Sequence, residues 1–167
     1  MRRFLITLIF VLPLAAAFAP ARAQNPGQAD LDMATEAQLG AETLGDLEKV
    51  IKLAESALAK GLDQGNQDFA KKLLSSTYYQ HANRAAESLF ERRQRGPRIA
   101  TIRQQAMKDL ENAKKYDPTL VDIYLLEAKL HVLPPGSDLN AATASASEAI
   151  TLLTARDDPK QLSKAYV

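Results

Sequence analysis

The side chains that could carry chemistry are few and widely separated in this chain. His81 and His131 are the only histidines, and they stand 50 residues apart without a partner at metal-ligand spacing. Ser75 and Ser76 fall within a helical pattern, outside the strand–turn–helix setting of a nucleophilic serine, so we predict small packing residues there. The seven glycines are scattered singly, which argues against a phosphate-binding loop. The sequence therefore predicts no catalytic residue, no metal site, no cofactor and no enzymatic activity.

Arginines cluster around the break between two predicted helices. Between positions 84 and 103, six arginines stand against two glutamates. Arg92, Arg93, Arg95 and Arg98 could bind an acidic partner, a phosphate or an anionic lipid headgroup, because guanidinium groups pair well with carboxylates and phosphates. The alternative is that these arginines only keep a long helical hairpin soluble. The sequence favours the solubility role and leaves the anion-binding role open.

The first 23 residues have the layout of a secretory signal peptide. Two arginines precede an apolar run that starts at Phe4, and Ala21-Arg22-Ala23 supplies a small-x-small cleavage pattern. The run is shorter than the roughly 20 residues that span a bilayer, and Pro13 interrupts it, which disfavours an uncleaved anchor. We therefore predict an exported protein, in the periplasm or outside the cell, with no stable membrane span after cleavage behind Ala23.

The charge balance and the cysteine content narrow the class of partner. Without residues 1–23, which contain three arginines, 18 basic residues remain against 20 acidic ones. Proteins that bind nucleic acids are ordinarily basic, so this slightly acidic balance argues against a nucleic-acid partner. The chain has no cysteine, so disulfides and zinc-thiolate sites are excluded as well. The sequence carries no signature of a particular oligomeric state.

The remainder of the chain is helical in pattern after a flexible lead at residues 24–29. Alanine, leucine, glutamate, lysine and glutamine dominate, and no β-branched alternation indicates a strand. We predict helices over 30–41, 44–60, 67–93, 97–116, 120–132 and 139–154, and a short seventh helix from 160. Thr43 with Asp46 resembles a capping box, and Asp138 caps the sixth helix. Phe90 and Leu139 are among the residues predicted to face the core.

Ala106, Leu110 and Ala113 carry the most informative spacing. They are four and three residues apart, so they share one helical face on which two small side chains let another helix approach closely. Asp117-Pro118 ends this helix, because proline disfavours the helical conformation of the residue before it. The pattern predicts a helix that stacks against other helices.

This arrangement resembles the tetratricopeptide repeat, a tandem array of two-helix hairpins. Second helices in that family carry alanine, a large residue, alanine and a terminal proline, as Ala106, Leu110, Ala113 and Pro118 do. Their first helices carry Leu-Gly-x-x-Tyr, for which this chain offers Leu74-Ser75-Ser76-Thr77-Tyr78. The resemblance implies an all-α fold over residues 30–167, with tandem antiparallel hairpins stacked as a short right-handed α-solenoid that is truncated at its C-terminus. A looser helical array of the same general kind is the alternative.

Members of that family bind peptides or protein segments on the concave face, which their first helices line. Mapped onto this chain, the resemblance implies a groove formed by Phe69, Lys72, Ser76, Tyr79 and Gln80 of the third helix and by Asp122, Leu125, Lys129 and Val132 of the fifth. It implies a non-catalytic scaffold for a protein or peptide partner in the cell envelope. An N-terminal accessory region of a larger exported enzyme is the main alternative. An envelope-binding module that acts through the arginine cluster is a third.

Overall fold

The computed structural model describes residues 25–91 and 98–155. The predicted signal peptide, Arg92, Arg93, Arg95 and the predicted seventh helix lie outside this part of the chain. Within it, six helices occur in the order α1 (Gln28–Leu39), α2 (Leu44–Lys60), α3 (Gln64–Phe90), α4 (Arg98–Tyr116), α5 (Val121–Val132) and α6 (Leu139–Ala155). The described residues contain no strand.

The helices pack as three antiparallel hairpins, α1 with α2, α3 with α4 and α5 with α6. Each hairpin stacks on the next, because α2 also packs against α3, and α4 against α5. The first helices of the hairpins, α1, α3 and α5, contact one another in that order. The predicted all-α solenoid of stacked hairpins is confirmed. Among the described helices, none combines the length and apolar character that crossing a membrane requires.

Side-chain caps set the starts of three helices. Thr43 accepts a hydrogen bond from the backbone N–H of Asp46, whose carboxylate accepts the N–H of Thr43 in return, so the predicted capping box is confirmed. Asp138 caps α6 by accepting the N–H of Ala141 at 2.9 Å. Asp63 caps α3 through the N–H of Asn66, and for this reason α3 begins at Gln64, three residues earlier than predicted.

The N-terminal end of α1 is anchored on the end of α2. The N–H of Gly27 donates to the carbonyl of Gly61 at 3.0 Å, and a β-carbon at Gly27 would lie only 2.1 Å from the carbonyl oxygen of Ala57. Only glycine allows this approach. The buried Asp30 carboxylate then joins the two helices, since it accepts from Lys60 at 2.6 Å and from Ser56 at 2.5 Å. Residues 25–27, predicted as part of a flexible lead, thus belong to the packed fold.

Alanine makes up a large part of the apolar core. Among the described residues, ten of the 25 buried apolar side chains are alanines, and their small size lets neighbouring helices lie close together. Ala106, Leu110 and Ala113 are all fully buried, as their spacing predicts. The buried alanines are Ala34, Ala54, Ala57, Ala70, Ala82, Ala86, Ala106, Ala113, Ala142 and Ala149.

Two residues predicted to face the core lie on the surface instead. Leu139 is 67% exposed, because it is the first residue of α6 and stands at the loop end of the third hairpin. Phe90 is 36% exposed at the last residue of α3, where its ring borders a surface cavity. Helical periodicity placed both on an apolar stripe, but a stripe is buried only along the length that a neighbouring helix covers.

The alanine seam yields a stability prediction. We expect Ala106→Leu to lower the free energy of unfolding by about 1–3 kcal/mol, because the larger side chain must displace a closely packed neighbour. Ala100→Leu on the exposed side of the same helix is the matched control, since leucine and alanine have similar helix propensity. Urea unfolding followed by circular dichroism measures both. Equal midpoints for Ala106→Leu and Ala100→Leu would contradict close packing at the seam.

Candidate functional site

The first helices present one continuous surface, which we call the first-helix face. On α3 it is formed by residues three, four or seven positions apart, which helical geometry places in one row. Moving along α3, this row contains Phe69, Lys72, Ser76, Tyr79, Asn83 and Phe90. On either side of the row, α3 meets α1 and α5, and each of these two junctions contains a cavity.

The α1–α3 cavity has a volume of about 450 Å³. Its rim is apolar, since Leu39 is 87% exposed and the Phe69 ring is 46% exposed. Asp32 and Glu36 add two carboxylates, and Gln28 donates to Asp32 at 2.8 Å. The lining residues are Gln28, Leu31, Asp32, Thr35, Glu36, Leu39, Asn66 and Phe69. This cavity combines an apolar surface with net negative charge.

The α3–α5 cavity has a volume of about 420 Å³. Burial raises the pKa of the Tyr79 hydroxyl, and the negative charge of Asp122 raises it further, so this phenol remains a neutral hydrogen-bond donor. Lys129 supplies a cation on the α5 wall of this cavity, which also carries Asp122. The lining residues are Tyr79, Asn83, Phe90, Asp122, Leu125, Leu126 and Lys129. Aromatic, aliphatic and charged groups therefore meet in one depression.

The predicted groove residues occupy different parts of this face. The structure brings together Tyr79, Asp122, Leu125 and Lys129 in the α3–α5 cavity. Phe69 lines the α1–α3 cavity instead.

The remaining predicted groove residues lie outside both cavities. Lys72 is exposed in the α3 row between the two cavities. The Ser76 hydroxyl lies in the same row and donates to the carbonyl of Leu73 within its own helix. Gln80 turns toward α1 and accepts a hydrogen bond from Gln38 at 3.0 Å. Val132 is exposed at the last residue of α5.

Sequence reasoning missed the contribution of α1. The groove residues were mapped from the third and fifth helices, whereas α1 supplies six of the eight residues that line the α1–α3 cavity. The signal was present, because residues 28, 32, 35 and 39 have the same spacing of three and four. Asn83 and Phe90 were missed for the same reason, as they continue the row of Phe69, Ser76 and Tyr79.

Of the predicted anion-binding patch, only Arg98 belongs to the described residues. It is exposed at the first residue of α4. Arg92, Arg93 and Arg95 lie outside the described ranges. In the part of the chain that the structure describes, no group of three or more histidines and carboxylates is arranged to hold a metal ion.

A buried polar pair joins α3 to α4 on the other side of α3. The His81 Nδ1 atom donates to the Asp109 carboxylate at 2.8 Å, and Gln105 donates to the second oxygen of Asp109 at 3.0 Å. The His81 Nε2 atom lies 3.8 Å from Glu48 of α2, beyond hydrogen-bond distance. The hydrogen bond to Asp109 raises the pKa of His81 against the opposing effect of burial, and the charges of Asp109 and Glu48 add to it. His81 was predicted only not to be a metal ligand, and its buried carboxylate partner 28 residues away could not be foreseen.

Comparison with known proteins adds no relative: no family model matches the chain, and neither curated proteins nor solved structures yield a match.

The His81–Asp109 pair predicts a pH-dependent stability. Because the folded-state pKa of His81 is raised, its protonation stabilises the fold fully below the unfolded pKa of about 6.5, and this contribution is lost as pH rises through the folded pKa. We expect His81→Gln to lower the free energy of unfolding by about 2 kcal/mol near pH 6 and by less near pH 9. Urea unfolding of wild type and variant at both pH values measures the difference.

A titration of the His81 imidazole by NMR is the control. Asp109→Asn removes the ionised acceptor, so the pKa of His81 should fall in that variant. A stability difference between wild type and His81→Gln that is the same at both pH values would contradict the coupling of His81 protonation to the stability of the fold.

Proposed function

We propose that this chain is a non-catalytic, exported scaffold of the tetratricopeptide kind, which binds an extended or helical peptide segment of a partner protein on its first-helix face. The single observation that carries the proposal is the pair of cavities on that face. Each lies between consecutive first helices, and together they follow the length of α3.

The composition of the two cavities supports a peptide as the ligand. Exposed apolar side chains such as Leu39, Phe69 and Phe90 offer anchor sites for large side chains of a partner. Polar groups lie beside them, with carboxylates in the α1–α3 cavity and Lys129 with Tyr79 in the α3–α5 cavity. A segment that spans both cavities would place basic and apolar groups near α1 and an acidic group near Lys129 and Lys72.

The proposed location rests on the N-terminal sequence. The two arginines, the apolar run and the Ala21-Arg22-Ala23 pattern favour export and cleavage after Ala23. An exported scaffold with no cysteine depends on packing alone for its stability, which agrees with a core of closely packed helices.

Peptide selection from a random display library tests the binding proposal. Peptides that bind the processed chain should compete for one face, and we expect Phe69→Ala, Tyr79→Ala and Lys129→Ala each to weaken them by about tenfold. Lys108→Ala, on the exposed side of α4, is the matched control for Lys129→Ala and should leave affinity unchanged. Fluorescence anisotropy with labelled peptides measures the dissociation constants. Peptide binding that none of the three groove substitutions alters would place the ligand elsewhere and end this proposal.

The location is tested by the mature N-terminus. We expect the exported protein to begin at Gln24, because the small residues at 21 and 23 fit the cleavage site. Mass spectrometry of the chain recovered from the envelope or the medium measures this. An intact Met1 on protein that stays in the cytoplasm would contradict export.

A further inference from the structure

The charge of α1 is one-sided. The helix contains Asp30, Asp32 and Glu36 and no lysine or arginine. Asp30 is neutralised within the fold, because its carboxylate accepts from Lys60 of α2 at 2.6 Å. Asp32 and Glu36 are exposed, and both line the α1–α3 cavity. Neither forms an ion pair in the described part of the chain, so two negative charges remain uncompensated at this cavity.

This placement of charge is unfavourable for α1 itself. Asp32 and Glu36 are four residues apart, so their side chains are neighbours on the helix surface, and like charges at that spacing destabilise a helix. The α3 wall of the cavity supplies no cation, since it consists of Asn66 and Phe69. The contacts of the described residues thus do not account for the two carboxylates, whereas a cationic ligand in the cavity would.

A chain of side-chain hydrogen bonds holds the Asp32 carboxylate in place. Asn66 of α3 donates to the amide oxygen of Gln28 at 2.9 Å, and Gln28 donates to one oxygen of Asp32 at 2.8 Å. Asn66 also donates to the Asp63 carboxylate at 2.8 Å, which ties the chain to the start of α3. The other oxygen of Asp32 accepts no hydrogen bond from the described residues. A carboxylate that is positioned beforehand loses little conformational freedom when it binds a cation.

The apolar part of the cavity adjoins these carboxylates. Leu39 is almost fully exposed, and the Phe69 ring is half-exposed. Such a surface suits a side chain that is apolar along its stem and cationic at its tip, as lysine and arginine are. The face of the Phe69 ring also attracts a cation through its quadrupole. Shape and charge therefore favour the same class of side chain.

The α3–α5 cavity differs in charge. Its charged lining residues are Asp122 and Lys129, so one carboxylate and one ammonium group balance each other. The α1–α3 cavity contains two carboxylates and no cation. A basic residue of a ligand is therefore attracted to the α1 end of the first-helix face in preference to the α5 end.

We propose that the α1–α3 cavity binds an arginine or lysine side chain of the partner segment, next to a large apolar residue that packs on Leu39. The carboxylates of Asp32 and Glu36 pair with the cation, and Phe69 covers its methylene stem. This inference rests on the proposed peptide binding, and it adds the class of residue that the partner must carry.

Parallel selections from a random peptide display library test the inference. The baits are the processed wild-type chain, the double variant Asp32→Asn with Glu36→Gln, and the double variant Glu111→Gln with Glu148→Gln. The last is the matched control, because it removes the same charge from exposed positions of α4 and α6. We expect arginine and lysine to be enriched in peptides selected on the wild type and on the control, and not in those selected on Asp32→Asn with Glu36→Gln.

Fluorescence anisotropy with a peptide selected on the wild type measures the size of the effect. Replacement of its basic residue by norleucine should weaken binding to the wild type by about tenfold. The same replacement should change binding to Asp32→Asn with Glu36→Gln little, because the carboxylates that it addresses are already gone. Circular dichroism verifies that both double variants are folded.

The possible outcomes separate this inference from the peptide-binding proposal. Wild-type peptides without enrichment of arginine and lysine would overturn the inference and leave peptide binding standing. An enrichment that persists on Asp32→Asn with Glu36→Gln would do the same, since the basic residue would then bind elsewhere. If no peptide can be selected on the wild type, both proposals fail.

Discussion

The close approach of α3 to its neighbours α2 and α4 is the constraint on which the rest of the molecule depends. Ala82 and Ala86 on α3 and Ala106 on α4 are fully buried, so little side-chain bulk separates the two backbones. The Ser75 hydroxyl even donates to the backbone carbonyl of Ala113 across this interface, at 3.0 Å. A side chain that is only one carbon long can make such a bond only if the helices nearly touch. The other two hairpins stack on either side of this one, because α2 packs against α3 and α5 packs against α4.

Because α3 is 27 residues long, it serves two separate surfaces at once. Its buried sides bind α2 and α4, where Tyr78 and Tyr116 stack with centroids 6.2 Å apart and Tyr78 donates to Glu55 of α2 at 2.8 Å. The remaining side stays open between α1 and α5 and forms the first-helix face. One helix thus contributes side chains to both cavities of the first-helix face.

The sequence could predict what depends on local spacing, and it failed where contacts between distant segments decide. Ala106, Leu110 and Ala113 were placed correctly, because three and four residue intervals define a helical face without knowledge of the neighbour. The Asp63 cap was missed and the third helix was predicted to begin at residue 67, since the same residue types end one helix and begin the next. The pairing of His81 with Asp109 joins positions 28 residues apart, and no local pattern announces it. The α1 wall of the groove was missed because the groove residues were mapped only from the third and fifth helices.

Polar contacts join the third hairpin to α4, and they bear on the α3–α5 cavity. Arg103 of α4 donates to the carbonyls of Leu133 and Pro135 at 2.6 and 2.8 Å, and so fastens the loop between α5 and α6. Lys114 of α4 pairs with Glu127 of α5 at 2.8 Å. The apolar cluster of Val121, Ala149 and Leu153 is separate from the main core, so it stabilises the hairpin itself and not its attachment. Hydrogen bonds and an ion pair therefore attach α5, which forms one wall of the cavity, to the second hairpin. The packing of Ile123, Leu126 and Leu130 in the main core adds to this attachment. Hydrogen bonds and ion pairs are directional, whereas apolar packing tolerates sliding, so Arg103 and Lys114 help to orient α5, which carries Lys129 into the cavity lined also by Tyr79.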